Sequence, residues 1–229
     1  MIITYDCETT GLDWTKDVVL LSGYRLNRQG EVLCDQDALK TLVSNPDNIL
    51  SGHNIKFDAL FLANSGFDVT GIDIEPYNGS SRGYNLNYRH IADDFCMHNF
   101  NDEKFDIVIS ISTIEHLGIQ YCVSNKDYDK IAIKSVWDIL ENGGIFYITV
   151  PISNPYQISQ FYRLYDTSEL KDRIIQKFTL ISKDYFLSDN ERWMDEIRGF
   201  GKYIPEEKAL QYKDAISTIS VGLKLKKVI

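Results

Sequence analysis

The chain has 229 residues, 44% hydrophobic and 25% charged, an ordinary globular composition with enough apolar mass for a sizeable core. Its net charge of −9, with no basic run beyond Lys224–Lys227, excludes whole-chain steering toward nucleic acid, although bound metal ions allow local contact. No apolar run approaches the roughly 18 residues of a membrane-spanning helix, and Cys7, Cys34, Cys96 and Cys122 lack zinc-like spacing. A cytoplasmic chain with reduced thiols and no membrane partner is expected.

In chain order, Ile2–Tyr5 reads as a short strand that runs into Asp6-Cys7-Glu8-Thr9-Thr10-Gly11-Leu12. Residues two apart on a strand share a face, so Asp6 and Glu8 stand side by side. Adjacent carboxylates repel, and a hard divalent cation between them relieves the cost. Val18–Arg25 and Glu31–Cys34 read as two further strands around the Asn27–Gly30 turn, giving an antiparallel meander. Asp37–Ser44 reads as a short helix. Ile49-Leu50 then leads through a Gly52-His53-Asn54 turn into a helix, where Asn54 and Asp58 lie one turn apart.

The D-x-E of Asp6 and Glu8, the Thr10-Gly11-Leu12 that follows, and the N-x-x-x-D of Asn54 and Asp58 resemble the DEDD 3′–5′ exonucleases. That resemblance implies a ribonuclease H-like fold for residues 1–64. It also implies two Mg²⁺ or Mn²⁺ ions held by Asp6, Glu8 and Asp58, with Thr9 and Asn54 meeting a nucleic-acid 3′ end. A fourth carboxylate is required. Tyr162–Asp166 fits the Y-x-x-x-D pattern literally, and His90–Asp94 misses the alternative pattern by one position. Both are read as coincidence.

Downstream, Ser65-Gly66 closes a helix, Val69–Ile74 reads as a buried strand, and Tyr88–Ala92 as the next strand, ending at Asp93-Asp94. Phe105-Asp106-Ile-Val-Ile-Ser-Ile-Ser-Thr-Ile-Glu115-His116 reads as a fourth strand and its loop. Ile133, Val136, Trp137 and Leu140 recur at helical spacing, Glu141–Gly144 ends that helix, and Ile145–Val150 is a strand. Phe178–Phe186 and Thr218–Lys226 read as a closing antiparallel pair, with Trp193, Tyr203 and Tyr212 between them as packing.

The F-D-x-V-x-S-x-S-x-x-E-H stretch and the Gly143-Gly144…Val150-Pro151 segment resemble class I S-adenosylmethionine-dependent methyltransferases over residues 65–229. The resemblance implies a Rossmann-like α/β fold, with a mainly parallel sheet, helices on both faces and the antiparallel closing pair. It places Asp73 at the cofactor ribose, Asp93 or Asp94 at the adenine, and Ser112, Thr113, Glu115 and His116 in the pocket. His116 is the candidate general base, because imidazole titrates near neutral pH. The acceptor would be a small or sugar-like molecule. Where a G-x-G-x-G turn is expected, the chain has Ser51–Lys56, so Gly52 alone can let backbone approach the cofactor.

The strand–helix unit 48–66 is claimed by both resemblances, and a strand has only two hydrogen-bonding edges. Ile49–Gly52 cannot pair at once with the second and fourth methyltransferase strands and with Ile2–Asp6. A hybrid is expected in which the larger methyltransferase sheet takes those edges and the Met1–Leu33 meander either packs elsewhere or is poorly ordered. Three functions remain: methyl transfer, 3′–5′ exonuclease action, and a catalytically inactive hybrid.

Overall fold

The computed structural model describes residues 68–74, 88–119, 125–187, 202–211 and 219–228, together with the backbone of five strands nearer the N-terminus. Those five are β1 (Ile2–Thr4), β2 (Asp6–Thr9), β3 (Val19–Leu26), β4 (Gln29–Leu33) and β5 (Ile49–Ser51). The chain divides into two compact units, Met1–His98 and Asn99–Ile229.

In the first unit, β2, β3 and β4 form an antiparallel sheet, with Asp6 opposite Gly23 and Ser22 opposite Leu33. β1 pairs in parallel with β5, in the register Ile2↔Ile49, Ile3↔Leu50, Thr4↔Ser51. This corrects the expectation for the contested strand: the edge goes to the N-terminal segment, and the β1–β5 sheet is two-stranded among the described residues. The register sets Ile2 and Ile3 beside Ile49 and Leu50, residues whose shapes suit a pleated surface. Neither these pairings nor the similarities reported below show a ribonuclease H-like domain. The predicted helix at Asp37–Ser44 lies outside the described residues.

β6 (Val69–Asp73) and β7 (Tyr88–Ala92) form a parallel pair. Gly71 sits under the Tyr88 ring; a Cβ there would meet the phenol oxygen at 2.6 Å. The missing side chain thus leaves room for the Tyr88 phenol to lie across the strand pair.

The second unit is built on one five-stranded sheet. Its strands are β8 (Phe105–Ile111), β9 (Leu140–Pro151), β12 (Thr179–Leu187), β13 (Lys202–Ile204) and β14 (Ile219–Lys226), in the order β13-β12-β14-β9-β8. A small hairpin, β10 (Gln157–Ile158) with β11 (Arg163–Leu164), stands beside it. β8 and β9 are parallel, whereas β14 is antiparallel to both β9 and β12. The sheet is therefore mixed rather than mainly parallel, because the closing pair inserts β14 next to β9. Ile219, Val221, Leu223 and Leu225 are buried and alternate with half-buried residues, the period of two that a strand imposes.

Helix α1 (Tyr128–Ile139) buries Ala132, Ile133, Val136 and Ile139. Leu140, expected as its last apolar position, is instead the first residue of β9. Phe105 pairs with Leu140 and Ile107 with Ile145, so Glu141–Gly144 bulge out opposite Asp106. The expected break at Gly143-Gly144 is thus an excursion within a strand. Gly143 takes φ 86°, which glycine adopts without penalty. Beyond β11, α2 (Thr167–Glu169) runs into a π turn over Leu170–Ile175, and α3 (Glu206–Ala209) follows β13.

Candidate functional site

In the first unit, the predicted nucleoside residues meet at one end of β6 and β7. Asp73 closes β6 opposite Ala92, and the Asp93 N–H donates to the Asp73 carbonyl at 3.0 Å. The parallel pairing therefore puts two acidic residues at neighbouring carboxyl ends, where open α/β sheets bind ligands. Asp93 accepts from His98 Nδ1 at 2.9 Å and from the Asp94 N–H at 2.8 Å. The His98 bond, then the Asp94 amide, hold its carboxyl below the usual carboxylate range. Asp94 accepts from the Cys96 N–H at 2.9 Å and so shapes the turn. Asp93 is the more exposed of the two.

In the second unit, the carboxyl end of β8 turns sharply. Ser112 has φ 45°, a left-handed conformation rare outside glycine, held by N–H bonds to Thr149 O (3.2 Å) and Oγ1 (3.1 Å). Thr113 Oγ1 donates back to the Ile111 carbonyl at 3.0 Å. Ser112 and Thr113 are exposed. A short 3₁₀ turn, Ile114–His116, follows. Glu115 is 2% exposed, and its Oε2 has no hydrogen-bond partner among the described residues. Burial pushes its carboxyl up to about 8, although Arg163 works in the opposite direction. Glu115 Oε1 lies 3.8 Å from His116 Nε2. His116 Nδ1 donates to the Phe161 carbonyl at 2.8 Å, and Tyr162 meets the imidazole edge-on.

A buried network behind this turn has no counterpart in the sequence-predicted set. Arg163 is fully buried and donates to the carbonyls of Glu115, Leu117, Asn125 and Lys126. Asp129, in the first turn of α1, is also fully buried; it accepts from Tyr165 Oη at 3.0 Å and Arg173 Nη1 at 3.0 Å. A carboxylate there is favoured by the helix dipole as well. Burial opposes the Arg173 charge, yet Glu169 and Asp129 outweigh it and raise its pKa. Burial, then Asp129, drives the Tyr165 phenol well above its ordinary range. No spacing marks these residues, because their partners lie 36 to 48 positions away in sequence. Tyr162–Asp166, read as a chance pattern, has a structural role: Asp166 caps α2 by accepting from the Glu169 N–H at 2.9 Å.

The candidate metal and nucleic-acid residues belong to the first unit, Met1–His98. Asp6, Glu8 and Thr9 lie on β2, whose side chains are outside the description, and Gly52, Asn54 and Asp58 lie outside the described residues. Among the described residues, no group of three or more His, Cys, Asp and Glu could hold a metal ion. Trp193 and Tyr212 also lie outside them, while Tyr203 is half-buried on β13. No described helix is long and apolar enough to cross a membrane.

Residues 51–148 match the family model described as a methyltransferase domain. No curated protein matches the chain. Among solved structures, the chain resembles the Burkholderia thailandensis 1,6-didemethyltoxoflavin N1-methyltransferase, crystallised with 1,6-didemethyltoxoflavin and S-adenosylhomocysteine. Identity is 17% and TM-score 0.52, over 76% of this chain and 67% of that one. TehB from Haemophilus influenzae is 17% identical with TM-score 0.49, over 75% of this chain and 54% of that one. The N-methyltransferase NodS from Bradyrhizobium japonicum, with S-adenosylhomocysteine, is 10% identical with TM-score 0.44, over 74% and 72%. The chain thus spans about two thirds of the first of these and about half of the second. None of these similarities supports an exonuclease. Residues 51–148 are a methyltransferase-domain match, carried on a Rossmann-like fold with a mixed sheet that the chain shares with a known methyltransferase.

Proposed function

We propose that this chain transfers a methyl group from S-adenosylmethionine to a small-molecule acceptor. The observation that carries the reading is the parallel β6–β7 pair, which sets Asp73 and Asp93 at adjacent carboxyl strand ends within a family-matched stretch. Two carboxylates so placed fit a nucleoside: Asp73 accepts from the ribose hydroxyls, and Asp93, with Asp94 shaping its turn, accepts from the adenine amino group. Gly52 supplies the small position for backbone approach to the cofactor. Bound S-adenosylmethionine would supply an electrophilic methyl on its sulfonium.

Ser112 and Thr113, exposed just past the carboxyl end of β8, are the acceptor-side candidates of the second unit. His116 receives the acceptor's proton at Nε2, since its Nδ1 proton is committed to the Phe161 carbonyl. Glu115, held neutral near physiological pH by burial, leaves that imidazole without a fixed carboxylate charge beside it. Positioning supplies most of the rate in such a transfer, so His116 contributes through proton removal alone. The Burkholderia enzyme holds 1,6-didemethyltoxoflavin, and a small acceptor is the class carried over here.

Titration calorimetry of the full chain with S-adenosylmethionine tests this. Saturable heat is expected, and Asp73→Asn should weaken binding about 10- to 100-fold, the loss of a charge-assisted hydrogen bond. Absence of binding by the unsubstituted chain overturns the proposal.

A further inference from the structure

The two backbone carbonyls that flank His116 are held by one side chain. Arg163 Nη1 donates to the Glu115 carbonyl at 3.3 Å and to the Leu117 carbonyl at 2.6 Å. Nη2 donates to Asn125 at 3.3 Å and Lys126 at 3.1 Å, tying the same guanidinium to the start of α1. Two residues earlier on the hairpin, the Phe161 carbonyl takes the proton of His116 Nδ1, and Tyr162 packs edge-on against the ring. Consecutive residues of one segment thus grip the imidazole and the backbone on either side of it. A carbonyl oxygen only accepts, so Nδ1 carries the proton in this bond and Nε2 is the basic nitrogen of the neutral ring.

We propose that Arg163 is a positioning residue for His116. By tying Glu115 and Leu117 to the hairpin, it keeps the Phe161 carbonyl against Nδ1 and so selects the Nδ1–H tautomer. The proposal rests on His116 being the proton acceptor of methyl transfer, but the tautomer itself is measurable without any transfer. Lysine cannot substitute, because a point charge on a flexible stem does not reproduce a planar fork spread over four carbonyls. Among the described residues, the polar groups facing the ring include Glu115 on its own turn and Tyr162 on the hairpin, with Arg163 and, on α1, Asp129 behind them.

Imidazole ¹⁵N spectroscopy of the full chain, with His116 assigned through His116→Asn, is the test. The neutral ring is expected as Nδ1–H. Arg163→Lys should raise the Nε2–H form from under about a tenth to about half of the population. Tyr165→Phe, which removes a bond to Asp129 but leaves the carbonyls at 115 and 117 alone, should lower thermal stability without moving the tautomer. A wild-type ring in the Nε2–H form overturns the proposal. So does an unchanged ratio in Arg163→Lys, or an equal shift in Tyr165→Phe, which would mark the role as purely structural. If Arg163→Lys does not fold, Arg163→Gln is read the same way. A tautomer shift in a chain that binds no S-adenosylmethionine would refute the methyl-transfer reading and leave the positioning role standing. Binding with no tautomer shift does the reverse.

Discussion

Arg163 Nε stands 3.6 Å from Asp129 Oδ1, and both side chains are wholly buried. That separation is too long for a hydrogen bond, so the pair is held by charge while Tyr165 and Arg173 supply the bonds that Asp129 accepts. Removing one buried partner leaves the other charge uncompensated, which costs far more than the pair contributes. Asp129→Ala should therefore destabilise the chain by about 3–5 kcal/mol. The shift in urea midpoint at constant slope measures it. A loss within ~0.5 kcal/mol, typical of surface sites, would mean that water reaches Arg163.

Glu115 sets a pH dependence of folding. Its carboxyl is raised from 4.5 to about 8 by burial, so the folded chain binds a proton that the unfolded chain has released between those values. The stability it contributes is complete below about 4.5, declines as pH rises, and is lost above about 8. The slope from this one group approaches ~1.4 kcal/mol per pH unit at most. Glu115→Gln should flatten the stability profile between pH 5.5 and 8.5 by close to one proton and leave the variant the more stable at the alkaline end. Denaturation midpoints at both extremes check this, and parallel profiles for the two chains would contradict it.

Two glycines with positive φ should respond differently to alanine. At Gly118 (φ 73°) a Cβ would lie 2.3 Å from the Asn125 carbonyl oxygen and 2.6 Å from Tyr128 Cβ. At Gly143 (φ 86°) the nearest atom is the tip of Lys226, 4.0 Å away. Gly143→Ala is expected to cost about 1–2 kcal/mol, the left-handed backbone penalty alone. Gly118→Ala should cost clearly more, because backbone must move at the loop carrying His116. Equal losses in thermal unfolding would show that the Gly118 turn relaxes freely.

Lys227 Nζ donates to the carbonyls of Trp137 and Leu140, at 2.7 and 2.8 Å, and lies over the Trp137 ring. It is 7% exposed and closes the carboxyl end of α1, where a cation is favoured. Lys227→Met should cost about 1.5–3 kcal/mol, the range for hydrogen bonds to a charged group. Amide exchange at the end of α1 should quicken in the variant. Unaltered exchange there would assign the lysine to solvent.

Strands were legible wherever a residue pattern is local. Tyr88–Ala92 is seen at the expected bounds, and the Phe105–Ile111 strand falls within the stretch read as a strand and its loop. The acidic end of β6 and the Glu115–His116 turn were legible because each follows a strand directly in sequence. The β5 pairing was misjudged, since edge competition depends on which segments meet and leaves no local trace. Arg163 was invisible for the same reason: a buried guanidinium is defined by carbonyls 37 to 48 residues away, and backbone carbonyls carry no sequence signature.

The π turn at Leu170–Ile175 carries Arg173 to Asp129. An α-helix advances ~100° per residue, so deleting a single residue from that turn would swing position 173 roughly that far around its axis and away from the carboxylate. The wide turn is therefore the spacer that sets the angular phase of the cation. A descendant that tightened it would need to recruit its counter-charge from a different side of the segment.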